Sequence, residues 1–175
     1  MKLRKKTISA TEAVKLALGP EKFFQDEYVP REILNENTVI HKMLGADNME
    51  EVELELPNGW VVKGIPDKIL DDRVVEVKVQ RPLSKPEELL IQGAHQALIY
   101  AKALGLGAVE VWLYVYSNDE TNIYTYAVDE LEPDRFFDIL VNNLNQFYGF
   151  AAFRPTIKKK LSENKLALRA VKWTT

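Results

Sequence analysis

The amino-acid sequence predicts a mixed α/β fold, in which helices and β-strands follow one another along the chain. Two observations carry this prediction. Apolar residues recur at helical spacing in some segments and alternate with polar residues in others, so both helices and strands are expected. In addition, 175 residues with 46% hydrophobic and 28% charged side chains are typical of one globular domain, not of a disordered chain. The predicted order of elements is α-βββ-α-ββ-α.

The N-terminal part, residues 1–48, is predicted to be helical. Ser9 and Glu12 have the spacing of a capping box, and the apolar residues that follow indicate a short first helix. Pro30 suits the start of a second helical region. Because its apolar residues have mixed spacing, we expect one or two helical pieces, broken near Asn35–Asn37.

Three strands are predicted next, in the core region that spans residues 49–128. Apolar residues alternate with glutamates over Val52–Leu56, which is typical of a half-buried strand. Asn58-Gly59 predicts a hairpin turn into a return strand over Trp60–Ile65. After a second turn, the valine-rich segment Arg73–Val79 predicts a third strand. The three strands are expected to form an antiparallel meander.

A long helix and two further strands complete the predicted core. A second capping box at Ser84 predicts a helix over about Glu87–Leu104, which Gly105 ends. Ala108–Tyr116 is strongly β-prone and is predicted to be a buried strand, with Thr121–Val128 pairing back onto it.

The C-terminal part, residues 129–175, is predicted to hold a last helix followed by a basic tail. One apolar face supports a helix over about Glu132–Tyr148. The charge is unevenly distributed: residues 1–6 carry +4 and residues 154–175 carry +6, so the rest of the chain carries −13 within a total of −3. Basic arms can contact phosphates, although charged tails are also commonly just solvated.

Several classes of protein are excluded by composition. With no cysteine, the chain cannot form a disulfide framework, a thiolate zinc site, an iron–sulfur cluster or a cysteine nucleophile. There is no Gly-rich Lys-Ser/Thr phosphate loop, so no nucleotide cofactor is expected. No apolar run approaches the roughly 20 residues of a membrane helix, and no signal peptide is recognisable. We therefore expect a soluble, cytoplasmic protein that does not bind membranes.

The residues that carry chemistry are Asp67, Glu76 and Lys78. Since side chains alternate along a strand, Glu76 and Lys78 should project from one face, and the short turn before them should place Asp67 beside Glu76. Two carboxylates and one ammonium would then converge at one end of a sheet. Carboxylate oxygens suit Mg²⁺ or Mn²⁺, and the carbonyl of Val77 could supply a third oxygen. The alternative is a cross-strand ion pair, worth under about 1 kcal/mol if exposed.

Such a site predicts phosphate chemistry. A bound metal would polarise a phosphoryl oxygen and lower the pKa of a water molecule, which would then act as the nucleophile. Lys78 would orient that water or stabilise the negative charge that develops on the phosphate.

The sequence resembles the PD-(D/E)xK nuclease superfamily. Pro66-Asp67 followed by Glu76-Val77-Lys78 is similar to its signature, and the order α-βββ-α-β is similar to its restriction-endonuclease-like core. The resemblance implies a central β-sheet of mixed strand direction that is flanked by helices. Two further features resemble the RecB-type branch of the superfamily. Gln96 and Tyr100 match a Gln-xxx-Tyr motif in the helix after the lysine strand, and His41 precedes the sheet where many members place a metal-binding histidine.

The resemblance implies roles for these residues. Asp67, Glu76, the Val77 carbonyl and His41 would bind Mg²⁺ or Mn²⁺, and Asp67, Glu76 and Lys78 would be catalytic. Gln96 and Tyr100 would contact the DNA backbone or brace the active site. Simpler interpretations stay open: a lone helix histidine often makes only a local hydrogen bond, and Tyr100 can be a core residue.

The implied activity is that of a metal-dependent deoxyribonuclease formed by one nuclease domain, residues 1–175. The resemblance favours an exonuclease that acts on single strands or DNA ends. The alternatives are a structure-specific endonuclease for junctions or flaps, and a non-catalytic nucleic-acid-binding module. The CRISPR-associated exonucleases of this branch are similar in size and motif order but carry a four-cysteine iron–sulfur cluster, which this chain cannot form. Related nucleases form rings or dimers, so a homo-oligomer is also compatible with the resemblance.

Overall fold

The predicted mixed α/β fold is confirmed by a computed structural model that describes residues 6–19, 29–116, 121–129, 131–147 and 172–174. In the described residues, strands form two sheets and helices flank them. The strands are β1 (Thr7–Ser9), β2 (Val52–Glu55), β3 (Val61–Gly64), β4 (Lys68–Ile69), β5 (Arg73–Gln80), β6 (Ala108–Tyr116), β7 (Thr121–Asp129) and β8 (Lys172–Thr174). The helices are α1 (Ala10–Leu18), α2 (Arg31–Met43), α3 (Pro86–Leu104) and α4 (Pro133–Phe147).

The two N-terminal helices differ in how well the sequence predicts them. Helix α1 begins as expected, because the Ser9 side chain accepts a hydrogen bond from the Glu12 backbone N–H at 3.1 Å. Helix α2 is continuous, so the predicted break near Asn35–Asn37 is wrong. Each asparagine disfavours a helix by only a fraction of a kcal/mol, which is too little to interrupt one.

The predicted three-stranded meander is also wrong, because its strands belong to two sheets. Strand β3 pairs antiparallel with β2 across a turn at Gly59, whose φ of +84° suits glycine, and it pairs parallel with β1. Strand β5 pairs instead with the short β4 and lies in the second sheet. Pro66 lies between β3 and β4, and proline has no backbone N–H with which to continue a ladder. Asp67 therefore lies on the segment that links β3 in the first sheet to β4 in the second.

The second sheet has mixed strand directions and the order β4-β5-β6-β7-β8. Strands β5 and β6 are parallel neighbours, and parallel strands need a crossover connection, which helix α3 provides. The helix ends at Gly105 as predicted, with φ +69°, but its predicted capping box is wrong. Lys85 is the N-cap and makes no capping bond with its side chain, whereas the Ser84 hydroxyl accepts from the Arg81 backbone N–H.

The main core lies where α1, α3 and α4 meet the strands. The buried apolar face of α4 comprises Phe136, Phe137, Leu140 and Leu144. Most of the predicted basic segments 1–6 and 154–175 lies outside the described residues, as does the segment 117–120 between the last two predicted strands. Among the helices that are described, none is long and apolar enough to cross a membrane.

Candidate active site

A cleft of about 340 Å³ brings together all of the site residues predicted from the sequence. Its walls come from α1, α2, α3, β5 and the segment that contains Asp67. The predicted residues that line it are His41, Asp67, Glu76, Val77, Lys78, Gln96 and Tyr100. Thr11 and Asn37 also line the cleft, and the sequence did not single them out.

The two carboxyl groups are held side by side by the backbone. The Asp67 backbone N–H donates to Glu76 Oε1 at 3.2 Å, and the Val77 backbone N–H donates to Asp67 Oδ2 at 2.8 Å. These reciprocal bonds place Asp67 against β5, as the short turn between β4 and β5 predicts. Glu76 is buried, with only 5% of its surface exposed.

The same environment shifts the pKa values of the two carboxyl groups in opposite directions. Burial, and then the negative charge of Asp67, raise the pKa of Glu76 well above its ordinary value, although Lys78 opposes this. Burial also acts to raise the pKa of Asp67, but hydrogen bonds from His41 and Val77 outweigh it and hold that pKa below its usual range. The pair therefore titrates in two steps, with Asp67 losing its proton first. Divergent pKa values of this kind are typical of functional sites.

His41 is oriented by two contacts. Its Nδ1 lies 2.6 Å from the Asn37 carbonyl oxygen, which can only accept, so Nδ1 carries a proton. Its Nε2 lies 3.4 Å from Asp67 Oδ2, and the hydrogen bond with Asp67 raises the pKa of His41. The local helix bond that the sequence left open is therefore present. It also directs Nε2 toward the carboxylates, as a carbonyl partner does for metal-binding histidines.

Lys78 belongs to a hydrogen-bonded chain. Its Nζ donates to Gln96 Oε1 at 2.5 Å, and Gln96 Nε2 donates to the Thr11 hydroxyl at 3.0 Å. Because an ammonium only donates, the Gln96 oxygen must face Lys78. The buried Gln96 is thus placed to brace Lys78, and its contact with DNA stays a prediction. Gln96 and Thr11 are 85 positions apart, so no local pattern could have revealed Thr11.

Tyr100 lies between the core and the cleft. It is buried within the main apolar cluster, and its ring packs over the backbone of Gly64. Burial, and then the charges of Glu76 and Asp67, raise the pKa of its hydroxyl. The hydroxyl therefore stays neutral and can act as a donor. Gly64 falls within the predicted return strand Trp60–Ile65, but the sequence does not predict that it seats this ring.

The donor set suits a hard divalent cation. Across the described ranges, no group of three or more His, Asp or Glu side chains forms a complete metal centre. Mg²⁺ and Mn²⁺ do not require one, since one or two carboxylates with carbonyl and water oxygens are sufficient. Asp67, Glu76 and the Val77 carbonyl fit that requirement. In the structure, His41 Nε2 contacts Asp67 Oδ2. That the same nitrogen binds a metal is still a prediction.

Comparisons with known proteins bear on the fold. No protein-family model matches the chain, and neither does any curated protein. The crystal structure of SSO0001 is similar with a TM-score of 0.53 at 19% identity, covering 85% of this chain and 80% of that one. An alkaline exonuclease, LHK-Exo from Laribacter hongkongensis, is similar with a TM-score of 0.49 at 12% identity, covering 90% of this chain and 96% of that one. At 19% identity, the similarity to SSO0001 shows a shared fold alone.

Proposed function

We propose that the protein is a metal-dependent deoxyribonuclease that hydrolyses phosphodiester bonds. The observation that supports this most strongly is the convergence of Asp67, Glu76 and Lys78 in one cleft, with the two carboxyl pKa values shifted apart. An exposed structural ion pair would need neither the burial of Glu76 nor the reciprocal backbone bonds. The resemblance to PD-(D/E)xK nucleases points to the same chemistry.

Each residue has a distinct task in this proposal. Asp67, Glu76 and the Val77 carbonyl hold Mg²⁺ or Mn²⁺, and His41 contributes a nitrogen ligand that favours Mn²⁺. When bound, the ion polarises a phosphoryl oxygen and acidifies a water molecule. Because burial raises the pKa of Glu76, protons compete with the cation for this carboxyl group, and cation binding should strengthen as the pH rises.

Lys78 supplies positive charge to the phosphate in its transition state. Its Nζ has three donor protons, and Gln96 accepts one of them, which leaves others for phosphate oxygens or the attacking water. The Tyr100 hydroxyl, kept neutral by burial, donates to a neighbouring phosphate oxygen. Gln96 mainly fixes the direction in which Lys78 points.

The RecB-type features, Gln96 with Tyr100 and His41, favour an exonuclease that acts on single strands or duplex ends. Covalently closed circular DNA should then remain intact while linear DNA of the same sequence is degraded. Cleavage of circles, flaps or junctions would establish a structure-specific endonuclease instead. Mn²⁺-independent DNA binding without cleavage of any substrate would indicate a non-catalytic module.

The decisive experiment is a cleavage assay on single-stranded, linear duplex, circular and branched DNA with Mg²⁺ and Mn²⁺. Asp67→Ala, Glu76→Ala and Lys78→Ala should each lower the rate by at least about a hundredfold. The isosteric Glu76→Gln separates impaired chemistry from impaired packing at this buried position. Asp71→Ala, an exposed carboxylate in the adjacent turn, is the matched control and should retain full activity. If all three site variants cleave normally, the assigned site is wrong.

A further inference from the structure

Helix α2, which carries His41, has little apolar anchoring. Of its residues, only Ile40 is buried. Three large apolar side chains on the helix, Leu34, Val39 and Met43, each have about half or more of their surface exposed. Since apolar burial is what usually holds a surface helix in place, the position of α2 must depend largely on other contacts.

Arg81 provides such a contact from the end of the catalytic strand. It follows β5 directly, and its guanidinium spans two residues of α2. Nη1 donates to Glu36 Oε2 at 3.2 Å, and Nη2 donates to Asn37 Oδ1 at 2.9 Å. The side chain is only 23% exposed, so water screens these bonds less than those of a surface pair.

The backbone of Arg81 is itself fixed. Its N–H donates to the Ser84 hydroxyl at 3.1 Å, and its carbonyl accepts from the Ser84 backbone N–H at 2.9 Å. The two bonds close a turn immediately after β5. The guanidinium therefore extends from a rigid point whose position follows that of Glu76 and Lys78 on the same strand.

The contact reaches the candidate metal site through Asn37. Arg81 holds the Asn37 side chain, and the carbonyl of the same residue accepts from His41 Nδ1 at 2.6 Å. Resting on the proposed function, we propose that Arg81 is a positioning residue that fixes α2 so that His41 Nε2 faces Asp67. It thereby sets the affinity for Mn²⁺ and the preference for Mn²⁺ over Mg²⁺, because an imidazole ligand favours Mn²⁺.

The test is calorimetric titration of the full-length protein with Mn²⁺ and, separately, Mg²⁺. Arg81→Ala should raise the Kd for Mn²⁺ by about 10-fold or more, the size of effect seen for outer partners of metal ligands. The Kd for Mg²⁺ should rise less, so the Mn²⁺/Mg²⁺ preference falls. In a His41→Ala background, Arg81→Ala should have no further effect on either metal. A merely structural role would weaken both metals equally in both backgrounds.

Three further variants test whether the effect is specific to the contact between Arg81 and α2. Arg73 lies at the other end of β5 and, like Arg81, donates to two side chains, here the carboxylates of Asp72 and Glu110. Arg73→Ala should therefore leave both Kd values unchanged. Arg81→Lys, which keeps the charge but not the planar fork, should fall between wild type and Arg81→Ala. Asn37→Ala removes the side-chain acceptor of Arg81 but keeps the backbone carbonyl that holds His41. It should also weaken Mn²⁺ binding, so it tests the proposal even if Arg81→Ala does not fold.

The outcomes separate this inference from the proposed function. Should Mn²⁺ bind to the wild type and weaken in His41→Ala, while Arg81→Ala and Asn37→Ala leave the affinity unchanged, the positioning role is wrong and the nuclease proposal stands. An equal weakening in the His41→Ala background would also overturn the positioning role. Absence of Mn²⁺ binding to the wild type would overturn both.

Discussion

A substitution at Gly64 tests how closely Tyr100 is seated over the active-site cleft. A Cβ added at Gly64 would overlap the Tyr100 hydroxyl oxygen and would lie 2.9 Å from Cε1 and 3.0 Å from Cζ of the same ring. Ordinary contacts between carbon atoms begin near roughly 3.5 Å, so the ring would have to retreat by about 0.5 Å or more. Tyr100 is 6% exposed and packed in the core, which leaves it little room to do so.

Overpacking of this kind destabilises a protein by about 1–3 kcal/mol. We therefore expect Gly64→Ala to lower the free energy of unfolding by that amount. For a chain of this size the corresponding fall in Tm is about 2–12 °C. Because the hydroxyl is the nearest atom, Tyr100→Phe should relieve part of the clash. Gly64→Ala should then cost at least about 0.5 kcal/mol less in the Tyr100→Phe background.

The assay is urea unfolding of the four proteins in this double-mutant cycle, followed by circular dichroism. Gly107→Ala is the matched control, because a Cβ there meets nothing within 4 Å. It should change stability by less than about 0.5 kcal/mol. An equally neutral Gly64→Ala, or an equal destabilisation with and without the Tyr100 hydroxyl, would contradict the predicted clash.

Two further predictions concern pH and salt. Burial lowers the pKa of His95 below its ordinary 6.5, so the folded protein keeps it neutral while the unfolded chain binds a proton more readily. The contribution of neutral His95 to the free energy of unfolding is complete above about pH 6.5 and disappears as the pH falls through the folded-state pKa. In urea unfolding, His95→Phe should therefore lose less stability than the wild type as the pH is lowered. An unchanged pH dependence would contradict it. Replacing Lys158, Lys159 and Lys160 with glutamine should weaken DNA binding, as measured by fluorescence anisotropy. The slope of log K against log salt concentration should become shallower by about 0.9 for each phosphate that is no longer neutralised. Identical slopes for the variant and the wild type would show that the tail is not part of the binding surface.

Local sequence patterns predicted most elements of the fold. Strand β6 has the predicted bounds, Ala108–Tyr116, because a long β-prone run is unambiguous without knowledge of its partners. Gly105 ends α3 as predicted, since a left-handed residue is a property of that one position. The errors lie where local signals were weak or competing. Asparagines did not break α2, and Ser84 capped a turn rather than a helix.

The sequence also predicted which residues share the candidate site. Asp67 and Glu76 lie on either side of a short turn, so their proximity follows from the geometry of adjacent strands. The alternation of side chains along β5 placed Glu76 and Lys78 together in the cleft. The approach of His41, Gln96 and Tyr100 to that cleft came only from the resemblance. Their chemical roles remain predictions.

The sequence by itself therefore determined the mixed α/β class, most element bounds and the pairing of Asp67 with Glu76, because each depends on residues that are close along the chain. The tertiary structure alone decided the division into two sheets, the bond from Gln96 to Thr11 and the contact of Arg81 with α2. It also decided the raised pKa of Glu76, since burial depends on everything packed around the group. Contacts across 45 or 85 positions arise when separate elements pack together, and no local periodicity encodes which polar groups then meet.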